Sequence, residues 1–489
     1  MRSIVLAGLT VSLLTACPVE PGTDGGTGGG MGGGGGEMGG GTGGGTGGGD
    51  AGTDAGVQRD LDVVVVRLNT DGTVDSTFGD AGVARIDFGQ ATGSARDTVY
   101  SLDKDSSGRI VLFGATKAMG RNDPDRFVAR LTPAGAIDTT FATNGVHRLD
   151  VANGTDAARH GFVQADGKIV MGGYNTFSTG VALSDGGVQT TNRPVLLRLD
   201  SNGVPDSTFG DAGVVAVPKF VNPTPGMPWG LAEAYGVARQ SNGNYVTTGY
   251  GRTAASGTVD LMSFRYTDTG AEDLTWANNG YFSLDLTGGD ERGRHLVALS
   301  DDRLVMVGSA TPLTSNVDAM VLMLTSAGQP DTTFSADGYR TWSFNRNDES
   351  FFGAAVGPGG MALAVAGYRT GPANTAAEND DALLLVLPIT VGGPTEFAQP
   401  VPLATDAHDR FFGVAWDGNK IVASGFVREG ADTRFAVARF NTDGTRDTTF
   451  GTGGLVTVNV TPGGGTEETA RWVVVQTDGK IVIAGPAEH

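Results

Sequence analysis

A short motif recurs along this chain and is the sequence feature that most constrains its fold. Its pattern is Gly-x-x-Asp-x-Thr-Phe, usually followed by a second glycine, and seven near-copies are present. The copies end at Phe78, Phe141, Phe209, Trp276, Phe334, Phe397 and Phe450, about 53 to 68 residues apart. A drifting period of this length predicts one supersecondary unit per repeat, with loops of variable length between the strands.

Each period contains four short runs with strand-like patterns, which we label a, b, c and d. In the unit spanning 157–217 these runs cover 159–164, 168–173, 194–199 and 213–217. Runs a and b are joined by Asp166-Gly167, a pair typical of tight β-hairpin turns. Helical periodicity is absent almost everywhere, so the sequence predicts an all-β fold.

The order of the runs at the two ends of the repeat region predicts how the fold closes. The region opens with a c–d pair, 62–68 and 82–88, and ends with an a–b pair, 471–476 and 480–485. Joined in space, the two halves complete a seventh four-stranded sheet and leave no unpaired edge. We therefore predict a seven-bladed β-propeller of four-stranded antiparallel blades. The alternative is an open β-solenoid, whose coils are shorter than these repeats and need no complementary halves.

The motif has a structural interpretation. Its first glycine occupies a turn position suited to positive φ, and its aspartate is placed to accept backbone N–H groups. The aromatic residue is predicted to pack between blades, which stabilises the fold by roughly 1.5–3 kcal/mol per side chain. The sixth copy reads Gly-Pro-Thr-Glu-Phe over 393–397 and lacks both the aspartate and the later glycine. We expect the sixth blade to be distorted.

The N-terminus resembles a bacterial lipoprotein signal. Met1-Arg2 precede an apolar run over 4–14 that is too short to span a bilayer, and Leu14-Thr15-Ala16-Cys17 matches a lipobox. The resemblance implies cleavage before Cys17 and acylation of its thiol, so the membrane becomes a partner and the cell envelope, in particular the outer membrane, the location. The alternative is an ordinary secretory signal. Because Cys17 is the only cysteine, no intramolecular disulfide can form.

Three regions follow from these features. We expect a signal peptide over 1–16, a lipidated cysteine with a glycine-rich disordered tether over 17–59, and the repeat propeller over 60–489. The tether has no apolar periodicity that could offset the entropy of ordering it. Its typical end-to-end distance is about 35 Å, long enough to hold the propeller away from a membrane surface.

Composition and a motif search argue against several functions. The formal net charge of −20 opposes binding to nucleic acid, which requires clustered Lys and Arg. The five histidines show no metal-ligand spacing, and no nucleophile elbow or phosphate-binding loop is present. The sequence therefore predicts no catalytic residues and no cofactor.

One position on strand a combines polar and aromatic residues. His160 and His295 occupy this position, preceded by Arg159 and Arg294, and Trp472 occupies it after Arg471. These side chains either form a polar ring near a central channel or serve as packing residues.

Three motif turns, one of them containing Asp200, Asn202 and Asp206, offer oxygen atoms that could bind calcium. Asn69, Asp71, Asp75 and Asn441, Asp443, Asp447 place oxygen atoms at alternate positions of a tight loop, as calcium prefers. Alanine replaces one of these oxygen ligands at 134 and 327 in sister copies, so the turn does not need a metal. Asx-turn capping is the favoured interpretation, and calcium is the alternative.

Loop lengths indicate where a ligand would bind. The b–c and d–a connections lie at one end of a propeller, and the long loops predicted there cover 116–125, 175–193, 219–233, 252–260 and 369–381. Variable loops on a rigid scaffold commonly carry binding sites. The candidate contact residues are Trp229, Tyr174, Phe177, Arg121 and Arg369. Mobile surface loops without a ligand are the alternative.

Several repeats resemble the delta-60 repeat family. The resemblance is carried by Asp-Gly-Lys-Ile at 166–169 and 478–481, by the run over 435–444, and by Asp-Thr-Thr-Phe-Gly at 447–451. It implies a propeller-like repeat domain of secreted or surface proteins, without a family-wide catalytic activity. We therefore expect a non-enzymatic, lipid-anchored envelope scaffold that recognises a protein, peptide or glycan. The alternative is a propeller-based envelope hydrolase or lyase.

Overall fold

The computed structural model of the chain describes most of the repeat region. It covers residues 61–88, 97–117, 123–151, 154–183, 186–220, 231–252, 258–286, 288–311, 316–344, 348–370, 380–390, 392–404, 408–430, 432–461 and 467–488. The predicted signal peptide, Cys17 and the predicted tether lie outside the described residues. The described part holds 28 strands and one short 3₁₀ helix, Pro358–Gly360, and none of its helices could cross a membrane.

The strands form seven four-stranded antiparallel sheets, which confirms the predicted seven-bladed propeller. Blades 2 to 4 contain β3 (Thr98–Lys104), β4 (Ile110–Lys117), β5 (Pro124–Leu131), β6 (Val146–Leu149), β7 (Asp156–Val163), β8 (Ile169–Ala182), β9 (Val188–Leu199), β10 (Val214–Val215), β11 (Ala232–Arg239), β12 (Tyr245–Gly251), β13 (Asp260–Tyr266) and β14 (Tyr281–Leu284). Blades 5 to 7 contain β15 (Glu291–Ala298), β16 (Leu304–Ala310), β17 (Asp318–Leu324), β18 (Tyr339–Trp342), β19 (Glu349–Val356), β20 (Ala362–Arg369), β21 (Asp381–Pro388), β22 (Phe397–Pro400), β23 (Asp409–Asp417), β24 (Lys420–Glu429), β25 (Asp432–Phe440) and β26 (Leu455–Val458). Within each of these blades the strands follow the order a, b, c, d.

Blade 1 is assembled from both ends of the repeat region, as predicted. Its strand order is β2 (Val83–Ile86), β1 (Leu61–Leu68), β28 (Ile481–Glu488) and β27 (Trp472–Val475). β1 pairs with β28 along its whole length, from Leu61 opposite Glu488 to Leu68 opposite Ile481. An ion pair of 2.8 Å between Lys480 Nζ and Asp75 Oδ2 also joins the two halves.

The apolar composition of the strands follows from the stacking of blades. In β1 the four consecutive valines, 63–66, are fully buried. Val63 and Val65 pack with side chains of blade 2, whereas Val64 and Val66 pack with those of blade 7. Both faces of the strand are therefore covered, which explains continuous apolar runs where alternation would mark a half-exposed sheet.

The motif aromatic packs between blades on the turn glycine of the next blade. The six turn glycines have φ between 79° and 89°. A Cβ added at Gly203 would lie 2.7 Å from the Phe141 ring, so only glycine leaves room for it. The Ala142 N–H also donates to the Asn202 carbonyl at 2.7 Å. The same aromatic–glycine contact joins Phe78 to Gly135, Phe209 to Gly270, Trp276 to Gly328 and Phe450 to Gly72.

An arginine on strand c completes this contact and was not singled out from the sequence. Arg130 Nε donates to Asp138 Oδ2 at 2.7 Å, and Nη1 donates to the Ser201 carbonyl of the next blade at 2.6 Å. Its guanidinium lies 4.6 Å from the centroid of the Phe141 ring. Arginines at 67, 198, 265 and 439 make the same three kinds of contact. The motif aspartate therefore holds an arginine that crosses to the neighbouring blade.

The sixth motif copy differs from the prediction. Phe397 begins strand β22 and pairs with Val386, at the register position that Val83 has opposite Val66 in blade 1. Phe397 is thus a strand d residue, and it does not end a motif turn. Its ring still covers Gly444, the turn glycine of blade 7. Blade 6 keeps four paired strands, so the departure is confined to the turn.

The missing turn leaves a gap between blades 5 and 6. A cavity of about 180 Å³ opens there beside Phe334, Arg303 and Leu387. Phe334 is only half-buried, whereas Phe78, Phe141 and Phe209 are fully buried. This junction therefore lacks the aromatic–glycine contact of the other repeats.

The predicted long loop over 175–193 is wrong for most of its length. β8 and β9 continue through it as a two-stranded hairpin, pairing Phe177 with Thr191 and Ala182 with Val188. The extension is half-buried or exposed over most of its length. Because it is polar and lies largely outside the packed blade, it lacks the apolar pattern that marked the other strands.

Candidate functional site

Strand a of each blade carries one residue that is displaced from the pairing register. In blades 2 to 7 a β-bulge with strand b isolates a single residue, and Arg471 precedes β27 at the matching position in blade 1. A bulge re-aims the side chain that it isolates. We call these seven residues the channel-mouth ring: Tyr100, Arg159, Tyr235, Arg294, Phe352, Phe412 and Arg471.

Neighbouring members of the channel-mouth ring touch in blade order. The Arg159 guanidinium lies 4.9 Å from the Tyr100 ring and 4.6 Å from the Tyr235 ring. Arg294 lies 5.2 Å from both Tyr235 and Phe352. The Phe352 and Phe412 rings are 5.2 Å apart, and Arg471 lies 4.6 Å from Phe412. Cations and aromatic faces therefore surround the propeller axis.

The next residue of strand a closes the channel at the axis. His160, His295 and Trp472 come from blades 3, 5 and 1, which are not adjacent, so they meet across the axis. The two Nε2 atoms of the histidines are 3.2 Å apart, and the Trp472 ring lies 5.1 Å from His160 and 4.8 Å from His295. The other four blades place Ser101, Gly236, Gly353 and Gly413 here, which leaves room for these rings.

This axial cluster packs as neutral groups. Burial lowers the pKa of His160 to about 4 and lowers that of His295 well below its usual value. His160 Nδ1 is 3.1 Å from the Val237 carbonyl, which fixes the ring. Both interpretations of this position are thus realised: the histidines and Trp472 pack, and the residues before them form the polar ring.

Tyrosines support Arg159 from behind. Arg159 Nη2 donates to the hydroxyls of Tyr174 at 3.0 Å and Tyr235 at 3.3 Å. The Tyr235 and Tyr250 hydroxyls are 3.0 Å apart. Burial raises the pKa of Tyr174 and Tyr250 far above the ordinary tyrosine value, so both remain protonated. The guanidinium is therefore held in place by neutral groups.

The channel-mouth ring is a basic spot on an acidic protein. Among the described residues, neither Arg159 nor Arg294 forms an ion pair, and the Nε atom of each is buried without a hydrogen-bond partner. Burial lowers the pKa of Arg471 to about 10, so this residue stays charged at neutral pH. Three guanidinium groups thus lie around the propeller axis; the Glu233 carboxylate acts on Arg159 through space, but no ion pair joins a carboxylate to Arg159 or Arg294 among the described residues.

The predicted contact residues Tyr174, Phe177 and Arg369 lie at separate places in the structure. Tyr174 lies on β8, is buried, and reaches the mouth only by supporting Arg159. Phe177 lies on the β8–β9 hairpin under Arg193, 4.7 Å from its guanidinium. Arg369 pairs with Asp381 at 2.7 Å. Trp229 and Arg121 lie outside the described residues.

The carboxylates weighed for calcium cap their own turns. Asp71 Oδ1 accepts the Thr73 N–H at 2.9 Å, and Asp75 Oδ1 accepts the Thr77 N–H at 3.1 Å. Asp75 Oδ2 faces Arg67 at 2.7 Å as well as Lys480. Asn441, Asp443 and Asp447 repeat this arrangement, with Asp443 bonded to Thr445 and Asp447 to Arg439. These oxygens serve Asx turns and ion pairs.

A second set of carboxylates lies between blades, three residues before the channel-mouth ring. Its buried members are Asp97, Asp156, Glu291, Glu349, Asp409 and Glu468. Glu349 Oε1 accepts the Phe344 N–H, and Asp409 Oδ2 accepts the Leu403 N–H, both at 3.0 Å. They thereby hold the d–a connections. Burial raises the pKa of both Glu349 and Asp409 to about 7.

These raised pKa values predict greater stability at pH 5 than at pH 8. A carboxyl whose pKa is about 7 when folded and about 4 when unfolded loses stabilisation as pH rises between those values. The motif aspartates, whose pKa values are lowered, lose theirs only below about pH 4. Thermal unfolding of Glu349→Gln should show a pH 5 to 8 difference smaller by on the order of 2 kcal/mol. Glu396→Gln, at an exposed ion pair, should leave that difference unchanged, and an equal change in both variants would contradict the assignment.

Comparison with known families supports the repeat architecture. A family model described as "Domain of unknown function (DUF5122) beta-propeller" matches residues 48–78, 106–141, 164–209 and 417–450. Each matched segment ends on a motif aromatic. No curated protein matches the chain.

Solved structures of similar shape share little sequence with the chain. A protein of unknown function from Dyadobacter fermentans is 10% identical, with 88% of this chain and 98% of that chain covered and a TM-score of 0.38. The propeller domain of the trilobed protease from Pyrococcus furiosus is 7% identical, with coverages of 77% and 85% and a TM-score of 0.36. Trypanosoma rangeli sialidase is 12% identical, with coverages of 77% and 59% and a TM-score of 0.38. These likenesses carry no argument about activity; the family match and the seven-sheet topology together support a β-propeller repeat domain.

Proposed function

We propose that this protein is a non-enzymatic, lipid-anchored envelope scaffold that binds an anionic group of a protein, peptide or glycan at the channel-mouth ring. The observation that carries the proposal is that the guanidinium groups of Arg159, Arg294 and Arg471 lie in one ring around the propeller axis, and that the first two form no ion pair in the described part of the chain. A protein with a net charge of −20 gains nothing in solubility from these groups. A ligand with a negatively charged group would neutralise the positive charge of these guanidinium groups.

The residue types suit carboxylate or sulfate recognition. A guanidinium presents planar N–H donors that match two oxygens of one anionic group. The alternating aromatic faces of Tyr100, Tyr235, Phe352 and Phe412 fix the arginines and offer flat apolar surface beside them. The ring contains no carboxylate or imidazole, the groups that most often act as general acid or base. This composition favours binding over hydrolysis or elimination.

Membrane attachment is the second part of the proposal and rests on the N-terminal sequence. Leu14-Thr15-Ala16-Cys17 fits a lipobox, and the glycine-rich stretch after it fits a tether. Mass spectrometry of the mature N-terminal peptide would test this part. An unmodified Cys17 thiol would contradict it.

The binding part is tested with Arg294→Gln and a matched control. Arg148→Gln changes an exposed arginine that also lies over an aromatic ring, 5.3 Å from Phe88, but on the outer strand β6. The probes are heparin, polygalacturonate and poly-glutamate as anions, with dextran as the neutral polymer. We expect the wild type and Arg148→Gln to bind at least one anionic probe and not dextran. Arg294→Gln should bind that probe about 10 to 100 times more weakly, because it loses a charge-assisted hydrogen bond.

Two outcomes would contradict the proposal. Equal binding by Arg294→Gln and wild type would exclude the ring as the site. Release of shortened products from a probe would replace the scaffold by the hydrolase or lyase alternative.

A further inference from the structure

We propose a calcium site between blades 4 and 5, formed by Asp260, Asp285 and Glu291. One carboxylate oxygen from each residue lies within 4.8 Å of the other two. Calcium binds oxygen ligands at about 2.4 Å, so two oxygens on one ion can be at most about 4.8 Å apart. Three oxygens this close lie within about 2.8 Å of a common point, so small side-chain rotations would bring all three to one ion.

The three ligands come from three different segments that the blade junction brings together. Asp260 begins strand c of blade 4, Asp285 follows strand d of that blade, and Glu291 begins strand a of blade 5. The Glu291 N–H donates to the Val259 carbonyl at 2.9 Å, which holds two of these segments in register. A cation here would join the outer edge of one blade to the inner strand of the next.

Glu291 itself points to a missing partner. Its side chain is fully buried and neither carboxylate oxygen has a hydrogen bond of regular geometry, although the backbone N–H of Leu286 lies close enough to lower its pKa. The buried acids at other junctions accept backbone N–H groups, as Glu349 does from Phe344 at 3.0 Å. A buried carboxylate without a counter-ion is unfavourable when its hydrogen bonds are weak. A bound cation would remove this penalty.

The junction between blades 2 and 3 shows what normally fills this place. Its acids, Asp125, Asp150 and Asp156, have the same positions on strands c, d and a. There the fully buried Arg126 supplies the positive charge, with Nη2 3.2 Å from Asp156 Oδ1. The position of Arg126 is taken by Leu261 in blade 4. In the described part of the chain, no lysine or arginine forms an ion pair with Asp260, Asp285 or Glu291.

The electrostatics of the site favour binding of a cation. Burial, with smaller contributions from Asp285, Asp260 and Asp290, raises the pKa of Glu291 to about 7, although the Leu286 N–H acts in the opposite direction. Burial, together with Asp285 and Asp290, raises the pKa of Asp260 to about 6. Asp285 is exposed, so water can complete the coordination sphere. Calcium tolerates such a mixed and flexible set of ligands, whereas magnesium requires a smaller octahedron.

The test compares Asp285→Asn with Asp150→Asn in the purified full chain. Both aspartates are exposed and occupy the same position in sister junctions, and an asparagine at 285 can still accept the Gly288 N–H that Asp285 Oδ1 accepts at 3.0 Å. Calcium binding is measured by equilibrium dialysis, and thermal unfolding is followed in EDTA and in 10 mM calcium chloride. Three-carboxylate sites of extracellular modules bind calcium with dissociation constants of roughly 0.1–1 mM.

We expect the wild type and Asp150→Asn to bind one more calcium ion than Asp285→Asn. Their melting temperature should rise by on the order of 2 °C in calcium, and that of Asp285→Asn should not. Glu291→Gln, which removes the buried charge, should melt above the wild type in EDTA and show no calcium response. Absence of calcium binding by the wild type, or full binding by Asp285→Asn, would overturn the site.

Discussion

Removing residues 469–489 is expected to abolish cooperative folding of the whole propeller. The truncation deletes β27 and β28, so β1 loses its partner along all eight residues of their pairing. It also uncovers one face of each of blades 2 and 7, since Ile483 packs toward blade 7 and Val482 toward blade 2. A ring opened in this way exposes strand edges and buried valines, which favours aggregation. Calorimetry should show no wild-type transition, and the soluble yield should fall.

A circular permutant keeps the β1–β28 pairing but moves the chain ends. It therefore shows whether stability depends on closure of the ring or on the position of the termini. Leu61 lies opposite Glu488, so a short glycine linker between them would form an ordinary b–c hairpin. New termini can then be opened at the exposed Gly430 turn of blade 7, where an added Cβ would meet no atom within 4 Å. This permutant should melt near the wild-type temperature. If the truncated chain melted there too, pairing between the terminal strands would not be what closes the ring.

The closure was predictable from the sequence because each step depended on local signals. Turn residues such as Asp166-Gly167 mark hairpins, and the apolar runs between them mark strands, so the number and order of strands could be read directly. The region begins with a c–d pair at 62–88 and ends with an a–b pair at 471–485. Only one arrangement of these strands pairs every strand edge. Positive φ at the motif glycines and aspartate capping also followed from residue type alone.

The candidate site depended on contacts that no local pattern contains. The bulges that isolate Arg159 and Arg294 appear only when strands a and b are paired. Aligning the repeats on this position would have revealed the alternation of arginine and aromatic residues, because Tyr100 and Tyr235 occupy it in other blades. The partner of the motif aspartate, such as Arg130 for Asp138, is not evident from the sequence because it lies eight residues earlier, on strand c, whereas the aspartate lies in the turn that follows.

The two wrong predictions, a motif turn at Phe397 and a loop beyond Asn175, also have physical causes. Phe397 was assigned to a motif turn because a glycine and a threonine precede it, yet the shortened connection makes it the first residue of strand d. The hairpin beyond Asn175 was assigned to a loop because strand prediction relies on burial, and this segment projects from the blade. In both cases tertiary context outweighed composition.

Phe141→Ala is expected to lower the free energy of unfolding by about 3–5 kcal/mol. The Phe141 side chain is fully buried between blades 2 and 3, against Gly203 on one side and under the Arg130 guanidinium on the other. Truncation would leave a cavity that neither blade can fill, because β-sheets on both sides are fixed by their own hydrogen bonds. Urea unfolding measures the loss, with an unchanged slope against denaturant required for the comparison.

Phe334→Ala is the matched control, because the same motif position there has no partner turn. Phe334 is half-buried beside the cavity between blades 5 and 6, where blade 6 lacks the motif glycine. Its truncation should cost about 1–2 kcal/mol, since less surface leaves water and less packing is lost. Equal losses in the two variants would mean that the aromatic stabilises its own blade and that the contact with the next turn adds nothing. A larger loss for Phe141→Ala would assign the difference to the junction between blades, the element that turns seven separate sheets into one ring.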